Sequence, residues 1–156
     1  MIRTYSRGRF SNLLRFWLVV FSWGVMTSAV VLAFVFQGYL VPGLTSNYRP
    51  PQDYVYIAYA LILLVALVSG MMISDLGRVV GALFVSLALS ATIEYTILTL
   101  PSTVGSVGPQ VLFEVGLAPL SDMAITIVFY SLFPLVLMLS LGGSMVGAML
   151  GEAYLD

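Results

Sequence analysis

Residues 54–74 read YVYIAYALILLVALVSGMMIS and contain no charged side chain. Roughly 20 apolar residues, rising 1.5 Å each as a helix, cross about 30 Å of hydrocarbon. Apolar and polar positions do not alternate here, so the stretch predicts a membrane helix and not a barrel strand.

Three more apolar runs lie on either side of it. The expected spans are 16–41, 54–74, 76–100 and 122–150, forming one transmembrane domain over 1–156. Pro42-Gly43 ends the first span and Pro101 the third. Ser121 and Asp122 can each cap a helix start, and the fourth span is expected to continue through a kink at Pro134 toward Glu152. Between the last two spans, QVLFEVGLAPL (110–120) is apolar enough for a short interfacial helix, with Pro109 in its first turn. The expected fold is all-α: a polytopic bundle of four transmembrane helices. Its connections are too short to hold a second domain.

Composition agrees. The chain is 60% hydrophobic and 8% charged, with a mean hydropathy of +1.05, whereas a soluble domain carries about a quarter charged residues. So much apolar surface cannot be buried within one small globule, so lipid must cover part of it. Cys, His and Lys are all missing. This chain therefore has no thiolate nucleophile, no imidazole base or haem ligand, and no amine for a Schiff base. It has no glycine-rich phosphate loop, no GxSxG and no triad either. Neither an enzyme, a cofactor nor a metal is expected, and one short basic segment makes nucleic acid an improbable partner.

Arginine sets the orientation. Arg3, Arg7, Arg9 and Arg15 precede the first span without an acidic residue among them. The apolar run that follows is about twice the length of a signal-peptide core and ends without a small-x-small cleavage site, so it reads as an uncleaved span. With both termini on one side, that side holds five Arg against Asp75, Glu152 and Asp156, a net of +2. The other holds Arg49 against Asp53, Glu94, Glu114 and Asp122, a net of −3, which completes the formal −1. Positive-inside asymmetry then predicts cytoplasmic termini in a prokaryotic cell membrane. Tyr39, Tyr48, Tyr54, Tyr56, Tyr59 and Tyr95 gather toward the outer boundary, and Trp23 lies within the hydrocarbon.

The most specific packing signal is in the fourth span. Gly143, Gly147 and Gly151 recur every four residues, with Ser140, Ser144 and Ala148 forming a second small-residue ridge beside them. Such ridges let helix backbones approach closely. The expected use is packing against the chain's own first or third helix, with a partner or oligomer contact as the functional option. Met138, Met145 and Met149 share a face of the same helix and are expected to fill gaps.

Glu94 is the one acid within a predicted span. Intramembrane charges are costly and mark functional sites by default. Counted from Leu76, however, it lies about 27 Å along its helix, near the outer surface. Interfacial solvation or a pair with Arg49 is the simpler expectation. Glu94, Glu114 and Arg49 remain candidate ion or partner contacts. Asp53, Glu94, Glu114 and Asp122 lack the spacing of any calcium loop.

Two functional expectations follow. The first is a small non-catalytic subunit that packs against and stabilises larger membrane-protein subunits. The second is a homo-oligomeric channel or small transporter that associates through the glycine ridge.

Overall fold

The computed structural model describes residues 4–36, 52–100 and 117–155. Five helices follow in order: α1 (Thr4–Phe36), α2 (Gln52–Ile73), α3 (Leu76–Thr99), α4 (Leu117–Leu132) and α5 (Leu135–Leu155). Four contain apolar segments of membrane-crossing length: Leu13–Phe36, Asp53–Ile73, Leu76–Thr99 and Leu135–Ala153. The chain is an integral membrane protein built as a four-helix bundle, with α4 as a shorter fifth helix.

The arginine leader is already helical from Thr4, so α1 extends well before its apolar part. Residues 37–41, expected to close the first span, lie outside the described residues, as does most of the segment expected to hold an interfacial helix. The fourth span departs from expectation. One kinked helix over 122–150 was anticipated, but the chain makes two. The helix α4 starts at Leu117, ahead of the Ser121-Asp122 caps, and ends at Leu132. Proline has no N–H to give the helical ladder. Phe133 N bonds back to Phe129 O at 2.9 Å, and the next helix opens with Met138 N to Pro134 O at 3.0 Å.

The connection between α2 and α3 is the tightest turn. Ser74 takes a left-handed conformation (φ 56°), and its hydroxyl donates to Met71 O at 2.9 Å. Asp75 then caps α3, accepting from Gly77 N at 2.9 Å and Arg78 N at 3.2 Å. A cap of this kind stabilises a helix start by about 1 kcal/mol.

Beyond that turn α2 and α3 part. Most of α2 lies along α5, α1 packs against both α2 and α3, and α3 also meets α4 and α5. Two apolar clusters fix the directions. Val20 and Trp23 of α1 meet Ala66, Ala82 and Leu83, with Phe16, Ile73 and Leu141 against them. Val31 and Val35 meet Ile62, Ile127 and Val136, with Tyr59 and Leu98 against them. Accordingly α1 and α3 run one way, while α2 and α5 run the other. The start of α1's apolar segment and the end of α5 therefore share one end of the bundle.

Candidate functional site

The small-residue ridge of α5 packs inside the chain, and against α2 instead of the expected first or third helix. A Cβ on Gly143 would stand 2.9 Å from Leu63 O, while Cβ atoms on Gly147 and Gly151 would run into Leu67 O and Met71 O. From the other side, Gly70 lies against the backbone of Ser144. Each of the three α5 glycines faces a residue 80 positions earlier (143 and 63, 147 and 67, 151 and 71), so the two helices run parallel in constant register. At such separations Cα–H groups meet carbonyl oxygens directly, and close dispersion contact replaces the hydrophobic drive that lipid removes. Ser140, Ser144 and Ala148 are fully buried alongside.

Glu94 requires the larger correction. It is not solvated at the interface: its side chain is 1% exposed, enclosed by the bundle. Ser90, one turn earlier on α3, donates to Oε1 at 2.9 Å, and Ser131 near the end of α4 donates to Oε2 at 3.2 Å. Distance along the helix carried no information about α4. Where Glu94 emerges toward the end of α3, α4 lies across it. Ser131 is also 3.0 Å from Val128 O, so its single proton has two acceptors to choose between.

More hydroxyls continue from this point into the bundle. Ser86 and Ser90 are buried on the same face of α3 as Glu94, at four-residue spacing. Thr27 and Ser28 are buried on α1, and Ser140 on α5. In sequence, these α1 and α5 hydroxyls fall between residues of the two apolar clusters, forming a polar layer between them. Most of these hydroxyls satisfy themselves on their own helix, as Ser86 does on Leu83 O and Ser28 on Val25 O. Two do not: Thr27 Oγ1 and Ser140 Oγ are buried without a hydrogen-bond partner among the described residues. Sequence reasoning missed Ser90 and Ser131 as company for Glu94. The i, i+4, i+8 spacing of Ser86, Ser90 and Glu94 was the available signal.

Among the described residues, no other candidate joins this site. Arg49 and Glu114 lie outside the described residues, as does any pairing of Glu94 with Arg49. Asp53 and Asp122 are exposed, and no three described His, Cys, Asp or Glu side chains converge. The methionines fill no gap: Met138 is 65% exposed and Met149 59%, both turned outward from the bundle.

A groove opens on the outer surface where α3 and α4 meet. It encloses about 520 Å³ and is walled by Ala91 and Tyr95 on one side and Ile125, Phe129 and Phe133 on the other. Phe129 stacks on Phe133 with ring centroids 5.4 Å apart, and Tyr130 beside them is 67% exposed. No protein-family model, curated protein or solved structure matches the chain.

Proposed function

We propose that this protein is a small non-catalytic membrane subunit that packs laterally against a larger membrane-protein partner, with both termini in the cytoplasm. The α3–α4 groove is the observation that carries this reading. It opens away from the bundle within the apolar part of the chain, so whatever fills it must itself be apolar. Exposed aromatic rings crowd its edge, and aromatic anchors seated in pockets dominate the energetics of protein interfaces. A transmembrane helix presenting a bulky apolar side chain fits such a groove.

Extraction in mild detergent should recover the chain in a stoichiometric hetero-complex. Ala91→Trp, placed in the groove wall, should release the chain from that complex while its helical content stays intact. Recovery of the wild type only as a monomer or homo-oligomer defeats the reading.

A second reading, a small channel or transporter, is favoured by the buried Glu94. Any self-association in that case would use a surface other than the glycine ridge, which α2 already covers. Liposomes containing only this chain should then show ion flux that Glu94→Gln abolishes.

A further inference from the structure

We infer that Glu94 and the hydroxyls around it form a binding site for one small monovalent cation, sodium, in the polar layer of the bundle. The inference is independent of the groove. It shares Glu94 with the transporter reading but requires binding only, with no flux.

The donor set comes first. Among the described residues, the side-chain partners of Glu94 are both hydroxyl oxygens, and oxygen-only sites select hard cations. A single carboxylate balances a single positive charge. Ser90 Oγ and Ser131 Oγ already stand 2.9 and 3.2 Å from the two carboxylate oxygens, one on each. Ser131 can turn its proton fully onto Val128 O, 3.0 Å away, and present its lone pairs toward Glu94 without losing a hydrogen bond. Ser90 has the same latitude in kind, because a helical serine reaches a carbonyl of its own preceding turn.

The second observation is the orphaned threonine. Thr27 is 1% exposed, and its hydroxyl has no hydrogen-bond partner among the described residues. A Cβ on Gly24 would come 2.9 Å from Ser86 O, which fixes the register between α1 and α3. The two helices run parallel, so Thr27, about one turn beyond Gly24, comes level with Ser90, one turn beyond Ser86. A buried hydroxyl left unpaired costs free energy, and a cation held by Glu94 and Ser90 gives that oxygen something to coordinate. Ser140 Oγ, the other orphan, sits between Val136 of the second cluster and Leu141, packed on the first. Deeper in, Trp23, Ala82 and Leu83 close the layer with apolar side chains. An ion reaching Glu94 would therefore be held in place instead of passing through.

The test is thermal unfolding of the full-length chain in detergent, with sodium, potassium or choline chloride at equal ionic strength. Sodium should raise Tm by several degrees over potassium and choline, as a ligand well above its Kd does. Glu94→Gln should abolish that difference, and Thr27→Val, which keeps the side-chain shape, should weaken sodium binding by about tenfold or more. Should Glu94→Gln fail to fold, Thr27→Val and Ser131→Ala carry the test. Equal Tm in all three salts, or a sodium shift that survives the substitutions, overturns the inference. A sodium shift without liposome flux preserves the site and removes the transporter reading.

Discussion

The two parallel helix pairs of the bundle are held together in opposite ways. Between α2 and α5, side chains have been removed until backbone meets backbone, and Gly143, Gly147 and Gly151 rest on consecutive turns of carbonyls. Between α1 and α3, Gly24 alone among the described glycines comes comparably close, and these two helices bury Thr27, Ser28, Ser86 and Ser90 together with Glu94. One interface leaves no room for anything. The other contains a buried hydroxyl, that of Thr27, with no hydrogen-bond partner among the described residues. In lipid, close apolar packing and interhelical hydrogen bonding are the two available sources of cohesion, and this protein separates them in space. Stability is expected to reside mainly in the first pair and adaptability in the second.

That division predicts a graded set of responses. Gly147→Leu should be the most damaging, because its side chain would have to displace the Leu67 backbone and not a flexible side-chain tip. A loss of at least about 3 kcal/mol is expected, read as collapse of helical content at low denaturant in SDS titration. Near-normal stability would mean that the α2–α5 pair is not the cohesive one. In the polar pair the sign should reverse. Thr27→Val removes an unpaired buried hydroxyl while keeping the shape, so in potassium it should stabilise by about 1 kcal/mol. A destabilised Thr27→Val variant would show that the hydroxyl has a partner and that the two pairs are less different than described. The smallest effect should come from Gly142, adjacent to the ridge but with open space around it. Gly142→Ala should gain a fraction of a kcal/mol from helix propensity, whereas Gly143→Ala one position on should lose stability. Equal responses at the two neighbours would undo the assignment of the ridge to α2.

The spans were readable in the sequence because the cost of placing charge in hydrocarbon leaves long uncharged runs, and 54–74 is the clearest of them. The break at Pro134 was half readable. Proline announces a fault in the hydrogen-bond ladder, but the downstream packing decides whether the helix bends or restarts. The environment of Glu94 was not readable, since it depends on α4, a helix distant in sequence, lying across α3. The outward methionines could have been anticipated. On a 100° helical wheel Met138, Met145 and Met149 lie roughly opposite the glycine ridge. Once the glycines are assigned to the packed face, those residues are left facing outward.

The constant offset of 80 residues between α2 and α5 also bears on biogenesis. Membrane helices emerge from the ribosome in order, so α2 enters the bilayer long before its partner has been synthesised. Throughout that interval a row of backbone carbonyls waits uncovered, able to receive any other helix with a small-residue edge. Completing the last helix is thus the step that commits the chain to its own topology, and a nascent chain halted before residue 135 would present an open cradle to the quality-control machinery of the membrane.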